Sequence, residues 1–210
     1  MLMRYVYLHG FASGPTSRKA RAFVAALQSA QIDLAVPDLS GGDFSRLTIT
    51  GQLARIVELL GGEPCRLIGS SMGGYLASLY ASAHSEVDRL VLLAPAFGLV
   101  ERWPDLLGRD AFSEWHQKGW MDVHHHGIGK MLPLHFGLFV DAAMHPPYPG
   151  VVQESLIFHG VHDDVVPVEN SRAFAAANSA TRLVELDSDH ELLGPLDVIV
   201  RDSLDFLCGP

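Results

Sequence analysis

The chain has 210 residues, 48% hydrophobic and 19% charged, which suits one domain with a substantial core and excludes disorder throughout. The formal net charge is -9 and lysines and arginines form no block, so neither nucleic acid nor an anionic membrane surface is an expected partner. The two cysteines, Cys65 and Cys208, fit free thiols of a reducing compartment better than a structural bridge.

Residues 5–8 form a short apolar run that ends at His9-Gly10. Residues 1–10 lack a small-residue cleavage site and are too short to span a bilayer, so they read as a strand that begins the fold. A cytoplasmic location without stable membrane insertion is the expectation. Residues 17–30 have a helical pattern, and a second apolar run at 34–36 ends at Pro37-Asp38. A helix is predicted over 48–60, a strand over 66–68, a helix over 72–83, and a strand over 90–93 that stops at Ala94-Pro95. After a long interval come strand 156–158, helix 168–178, strand 182–186 and helix 196–207. Strands alternating with helices predict βαβ units, right-handed crossovers and a mainly parallel six-stranded sheet, buried on both faces.

The long interval breaks this alternation. Residues 97–150 hold all three tryptophans and six of the eleven histidines, too much chain and too much aromatic surface for a bare loop. They read as a small helical cap inserted over the sheet of one domain spanning 1–210, with His145-Pro146-Pro147-Tyr148-Pro149-Gly150 as the linker back. The cap aromatics Trp103, Trp115 and Trp120 are candidates either for lining an acyl pocket or for forming the cap's own core. His124-His125-His126 does not read as a metal site, because adjacent side chains point in different directions.

The chemistry begins at Gly69-Ser70-Ser71-Met72-Gly73, a G-x-S-x-G turn between an apolar strand and a helix. A serine in such a turn projects its hydroxyl out of the sheet, and the residues two places either side must be small. Gly69 and Gly73 meet that demand for Ser71, whereas Ser70 would be flanked by Ile68 and Met72. The frame therefore selects Ser71 as nucleophile, with partial positive charge from the helix start directed at a developing oxyanion.

A serine hydroxyl needs a base, and the base an orienting partner, in the chain order serine, acid, histidine. The fifth strand exits into His159-Gly160-Val161-His162-Asp163-Asp164, and the sixth into Asp187-Ser188-Asp189-His190-Glu191. Asp163 is the chosen acid, with Asp164 as competitor. His190 is the chosen base, with His159 and His162 as alternatives beside the acid. All lie at carboxyl ends of strands, the edge where open α/β sheets place their sites. The first strand ends in Leu8-His9-Gly10-Phe11, and the backbone N–H groups of Phe11 and Met72 are the assigned oxyanion donors. Phe11 and Met72 are also expected to line the substrate pocket. Ser13 and Ser17 offer either a further polar contact or a cap for the helix at Arg18.

Together, Tyr7-Leu8-His9-Gly10-Phe11, Gly69-Ser70-Ser71-Met72-Gly73-Gly74, His159-Gly160 with Asp163 and Val166-Pro167, and Ser188-Asp189-His190 resemble small α/β-hydrolases. His9-Gly10-Phe11-Ala12-Ser13-Gly14-Pro15 with Lys19-Ala20 resembles short bacterial esterases of the YqiA type. The cap's placement and residues 159–190 look more like the acyl-glucuronide esterase and protein depalmitoylase branch. The resemblance implies the α/β-hydrolase fold, ester or thioester hydrolysis without metal or cofactor, and Ser71, Asp163 and His190 as triad. The chain starts directly at the oxyanion strand, where larger superfamily members have two antiparallel strands before it.

The expected activity is hydrolysis of a small-molecule or acylated ester or thioester through an acyl-enzyme. The rivals are a C–C bond hydrolase or acyltransferase with the same triad, and a ligand-binding protein on a hydrolase scaffold without turnover.

Overall fold

A computed structural model describes residues 3–209; Met1 and Leu2, the start of the first predicted strand segment, and Pro210 lie outside them. Strand β1 (Arg4–Leu8) leads into α1 (Arg18–Ser29), whose cap is the Ser17 hydroxyl accepting from the Ala20 N–H at 3.3 Å. Then come β2 (Leu34–Ala35), a 3-10 turn at Phe44–Arg46 and α2 (Ile49–Leu60). Thr48 caps α2 by accepting from the Gly51 N–H at 2.9 Å, and Gly61 ends it in the left-handed region that glycine favours. Strand β3 (Cys65–Ser70), α3 (Met72–Ala83) and β4 (Val87–Leu93) follow.

Beyond β4 the insertion contains α4 (Leu99–Leu107), α5 (Arg109–Lys118), β5 (Trp120–His125), β6 (Lys130–His135) and α6 (Gly137–Ala142). The chain returns through β7 (Glu154–Gly160), α7 (Val168–Ala177), β8 (Thr181–Leu186) and α8 (Leu196–Cys208). The main sheet runs β2-β1-β3-β4-β7-β8 with every neighbouring pair parallel. Strand alternation divides the core between its faces. Val6, Leu8, Leu67, Leu90 and Leu92 pack with α2, α3 and the insertion, while Tyr7, Ile68, Val91, Leu93 and Phe158 pack with Phe23 and Leu27 of α1 and Ile199 of α8. Helix α3 is buried nearly throughout because it lies between the sheet and these neighbours.

The insertion is helical, as expected, but also carries an antiparallel hairpin, β5 with β6, that the sequence reading does not include. Its burial alternates along β5, and its connection, His126-Gly127-Ile128-Gly129, is the only local signal. Several hydrogen bonds seat the insertion, among them the following. The His126 N–H donates to the Ala12 carbonyl at 2.8 Å, and the Thr50 N–H to Asp141 Oδ2 at 2.8 Å. The Tyr75 hydroxyl donates to the Pro146 carbonyl at 2.9 Å, and Asn170 Nδ2 to the Phe97 carbonyl at 2.7 Å. Cys65 is a buried free thiol and Cys208 an exposed one. Among the described residues no helix is long and apolar enough to cross a membrane.

The strand order fixes where a site can form. From β1 the chain goes to β2 on one side, then returns to β3 on the other, so a crevice opens between the carboxyl ends of β1 and β3. The loop that begins at His9 and the turn at Ser71 flank that crevice.

Candidate active site

Ser71 stands between β3 and α3 with φ 53° and ψ -119°, a conformation that L side chains adopt only when the surroundings impose it. The imposition is steric and hydrogen-bonded. A Cβ at Gly69 would lie 2.4 Å from the Gly73 carbonyl oxygen, and a Cβ at Gly73 would lie 2.0 Å from that of Leu8. The Ser71 N–H donates to the Leu93 carbonyl at 2.8 Å, and the Ser71 carbonyl accepts from Gly74 and Ala96. The two glycines thus let α3 start directly against the strand ends, and the tight turn presents the Ser71 hydroxyl to the crevice.

His190 Nε2 lies 3.1 Å from Ser71 Oγ, and its Nδ1 lies 2.7 Å from Asp163 Oδ2. The imidazole arrives from the loop after β8. A Cβ at Gly160 would lie 2.3 Å from the Ser188 carbonyl oxygen, so the glycine lets that loop lie across the end of β7. The sequence reading gave Gly160 no such part.

Asp163 is held from all sides. Its Oδ1 accepts from the N–H groups of Val165 and Val166 at 2.9 and 2.7 Å, and its Oδ2 faces both His190 and, at 3.1 Å, His159 Nε2. Burial by itself would raise the carboxyl's pKa, but the hydrogen bonds from His159, His190 and Val166 hold it far below the usual carboxylate range. Asp164 is exposed, and His162 pairs with Asp187 at the surface, 2.9 Å apart. His159 is fully buried. Its Nε2 faces two acceptors, Asp163 Oδ2 and the Val166 carbonyl at 2.8 Å, so this nitrogen carries the proton. Its Nδ1 lies 2.7 Å from the Ser171 hydroxyl.

Across the crevice, Gly10 abuts Ser71: a Cβ there would lie 3.3 Å from that of Ser71. Phe11 and Met72 both border the cavity. The Met72 N–H is at the first position of α3, where no intrahelical acceptor exists. His9 anchors the loop. The Leu39 N–H donates to its Nε2 at 3.3 Å, so its Nδ1 carries the proton and donates to the Gly10 carbonyl at 3.0 Å. Burial lowers the His9 pKa and keeps the ring neutral. Gln52 is a further residue that the sequence reading missed. It is buried at the i+3 position after Ile49 on the apolar face of α2, and its Nε2 contacts Met72 Sδ at 3.8 Å and the Thr48 carbonyl at 3.1 Å. A lone amide on an apolar helical face was the available signal.

The three tryptophans separate. Trp103 borders the cavity and meets Phe11 edge to face at 6.3 Å. Trp115 is instead part of the insertion's core, 1% exposed, with its indole N–H donating to the Leu134 carbonyl at 3.1 Å. Trp120 is exposed against His135 and beneath Arg46. Neither Trp115 nor Trp120 is among the described residues lining the cavity. Ser17 serves as the cap of α1 and also borders the cavity, as does Ser13.

Chemically, the arrangement is a hydroxyl aligned on an imidazole, an imidazole aligned on a carboxylate whose pKa is held low, and a cavity of about 860 Å³ beside them. Among the described residues no group of three potential ligands is placed to hold a metal ion.

The profile of UPF0227, described as an uncharacterised protein family, matches residues 4–206. No curated protein matches the chain by sequence. Among solved structures, alpha/beta hydrolase domain-containing protein 10 from mouse is similar with a TM-score of 0.81 at 21% identity, over 97% of this chain and 88% of that one. Est1E from Butyrivibrio proteoclasticus, solved with ferulic acid bound, is similar with a TM-score of 0.83 at 20% identity, over 99% and 88%. A monoacylglycerol lipase from Paleococcus ferrophilus is similar with a TM-score of 0.79 at 16% identity, over 97% and 93%. The fold is the α/β-hydrolase fold.

Proposed function

The chain belongs to the UPF0227 family, and from that premise we propose that it is a serine hydrolase that cleaves carboxylic esters or thioesters through an acyl-enzyme. The observation that carries this reading is His190, which spans Ser71 Oγ at 3.1 Å and Asp163 Oδ2 at 2.7 Å. In this reading Ser71 attacks the carbonyl carbon while His190 takes its proton. The Phe11 and Met72 N–H groups hold the oxyanion. His190 returns the proton to the departing alcohol or thiol, then draws one from the water that attacks the acyl carbon and hands it to Ser71 Oγ as the acyl–oxygen bond breaks and the acid leaves. Asp163 stays charged and fixes the imidazole so that Nε2 is free to accept. Residues 97–150 act as the cap of a single domain, and Trp103 is the cap aromatic that meets substrate.

A ligand-binding scaffold without turnover has no use for a strained serine aligned on an oriented base. Labelling with a fluorophosphonate probe tests the reading. Wild-type protein is expected to label, and Ser71→Ala is not. Folded wild-type protein that stays unlabelled, or equal labelling of Ser71→Ala, would overturn it.

A further inference from the structure

The cavity at Ser71 has two unlike ends. Beneath the insertion it is bordered by Phe97, Leu99, Trp103 and Leu106. Over the carboxyl edge of the sheet it reaches the start of α1, where Tyr7, Ser17, Arg18, Lys19 and Ser70 border it. Phe97 and Trp103 belong to the core on one face of the sheet and Tyr7 to that on the other, so Ser71 and His190 lie where the two ends meet.

Three observations set the second end apart. First, the whole chain carries 24 acidic against 15 basic side chains, yet the described lining at this end holds Arg18 and Lys19 against a single carboxylate, Glu191, while the lining's third cation, Arg102, belongs to α4 at the other end and donates to the Val165 carbonyl at 3.2 Å. Cations concentrated in the cleft of an anionic protein focus its field on negative ligands. Second, Arg18 and Lys19 occupy the first turn of α1, which has no acidic residue. The helix dipole disfavours cations there and favours an anion, so two local preferences are broken at one place on the cavity wall. Third, among the described residues the fully buried Tyr7 hydroxyl makes no hydrogen bond of normal geometry, although the Ser17 and Ser70 hydroxyls lie close enough to act on it electrostatically. A buried hydroxyl left unpaired is costly, and this one sits among cavity-lining serines.

Lys19 is half-buried. Burial lowers its pKa against the attraction of Glu191, Asp163 and Asp189, and among the described residues it makes no direct ion pair. Neutralising Asp163 does not account for it, since that carboxylate already accepts from His190, His159, Val165 and Val166.

We propose that the α1 end of the cavity is a subsite for an oxyanion carried by the substrate, a carboxylate or a phosphate a few bonds from the scissile carbonyl, with the hydrocarbon part beneath the insertion. Lys19 and the first N–H groups of α1 hold the anion, Arg18 guards the entrance, and Tyr7 becomes paired when the subsite fills. The substrate class is then an amphiphilic ester or thioester, apolar on one side of the carbonyl and anionic on the other. This inference rests on the hydrolase reading of Ser71.

The test is a set of hexanoyl thioesters that differ in the thiol: 2-mercaptoethanol, 3-mercaptopropionate, 2-mercaptoethyl phosphate and thiocholine, with thiol release followed colorimetrically. The expected kcat/KM for at least one anionic thioester exceeds that of the neutral one by about tenfold or more, the scale of one charge-assisted hydrogen bond. Thiocholine is expected to fall below the neutral thioester. The larger of the two anionic ratios identifies carboxylate or phosphate. Lys19→Met should collapse the anionic-to-neutral ratio towards one, and Lys19→Arg should retain it. Should Lys19→Met fail to fold, Tyr7→Phe and Arg18→Gln provide the same ratio. A wild-type ratio at or below one, or a ratio unchanged in Lys19→Met, overturns the subsite while Ser71 still labels with fluorophosphonate. Loss of labelling counts instead against the hydrolase reading.

Discussion

His159 Nε2 lies 3.1 Å from Asp163 Oδ2, the same oxygen that His190 Nδ1 reaches at 2.7 Å. Two imidazoles therefore converge on one carboxylate, one fully buried and one at the cavity. His159 helps to keep Asp163 charged and aims its oxygen at His190. His159→Leu removes that donor, so Asp163 binds a proton more readily. kcat/KM at neutral pH is then expected to fall by about tenfold, the scale of one hydrogen bond to a charged group, and the stability that the Asp163 carboxylate contributes should fade at a higher pH than in wild type. His159→Gln, which keeps an N–H donor, should restore part of both. An unchanged kcat/KM in folded His159→Leu, or urea midpoints that fall with pH as in wild type, would contradict this assignment.

Asp163 and Asp164 are adjacent, but only Asp163 faces His190. Asp163→Asn is expected to lower kcat by about 10⁴-fold, as loss of the orienting carboxylate does in serine hydrolases, and Asp164→Asn by less than about twofold. Stability should follow the same carboxylate. Its folded pKa is depressed below the unfolded value of about 3.9, so its contribution is present above that value and lost as pH falls through the lower folded one. The urea midpoint of wild type should exceed that of Asp163→Asn at pH 7 and pH 5, and the gap should shrink below about pH 4.

Ser71 occupies a backbone conformation worth roughly 1–3 kcal/mol of strain for a residue with a Cβ. Glycine adopts it freely, at an entropic cost of about 0.5–1 kcal/mol. Ser71→Gly should therefore abolish labelling and turnover while raising Tm by about 2–4 °C, a net gain near 1 kcal/mol for a chain of this size. A lower Tm in a folded Ser71→Gly variant would show that the turn is not strained.

Trp103 is the tryptophan that borders the cavity, and Trp120 is a part-exposed ring outside its lining. Trp103→Leu enlarges the apolar end and should shift the preferred acyl chain to greater length, by about fourfold in kcat/KM for each methylene newly buried. Trp120→Leu should leave the chain-length profile unchanged. Assays with p-nitrophenyl esters of graded length check both.

Much of the fold is legible in the sequence because its causes are local. The six strands, the five helices flanking them and the start of α3 at Met72 follow from short-range periodicity and from glycines at Gly69 and Gly73. The hairpin of the insertion is less legible. Trp120, Asp122 and His124 face outward, so its alternation carries little apolar contrast, and Pro133 within β6 weakens the strand signal further. His9 looks like an ordinary loop histidine, and His159 like an alternative base beside the acid, until their partners, Leu39 and Ser171 among them, are brought alongside.

By itself the sequence determined the parallel α/β sheet, the strand–turn–helix around Ser71, and the order in which serine, aspartate and histidine leave the strand ends. These depend on steric and periodic rules that act within a few residues. The tertiary structure decided which neighbours those residues meet: Asp163 rather than Asp164 at His190, a second imidazole from His159, Trp103 alone of the three tryptophans at the cavity, and Lys19 on its wall. Such pairings join residues far apart in the chain, and no local rule specifies which side of a turn or helix will face inward until the sheet has brought the distant partners together.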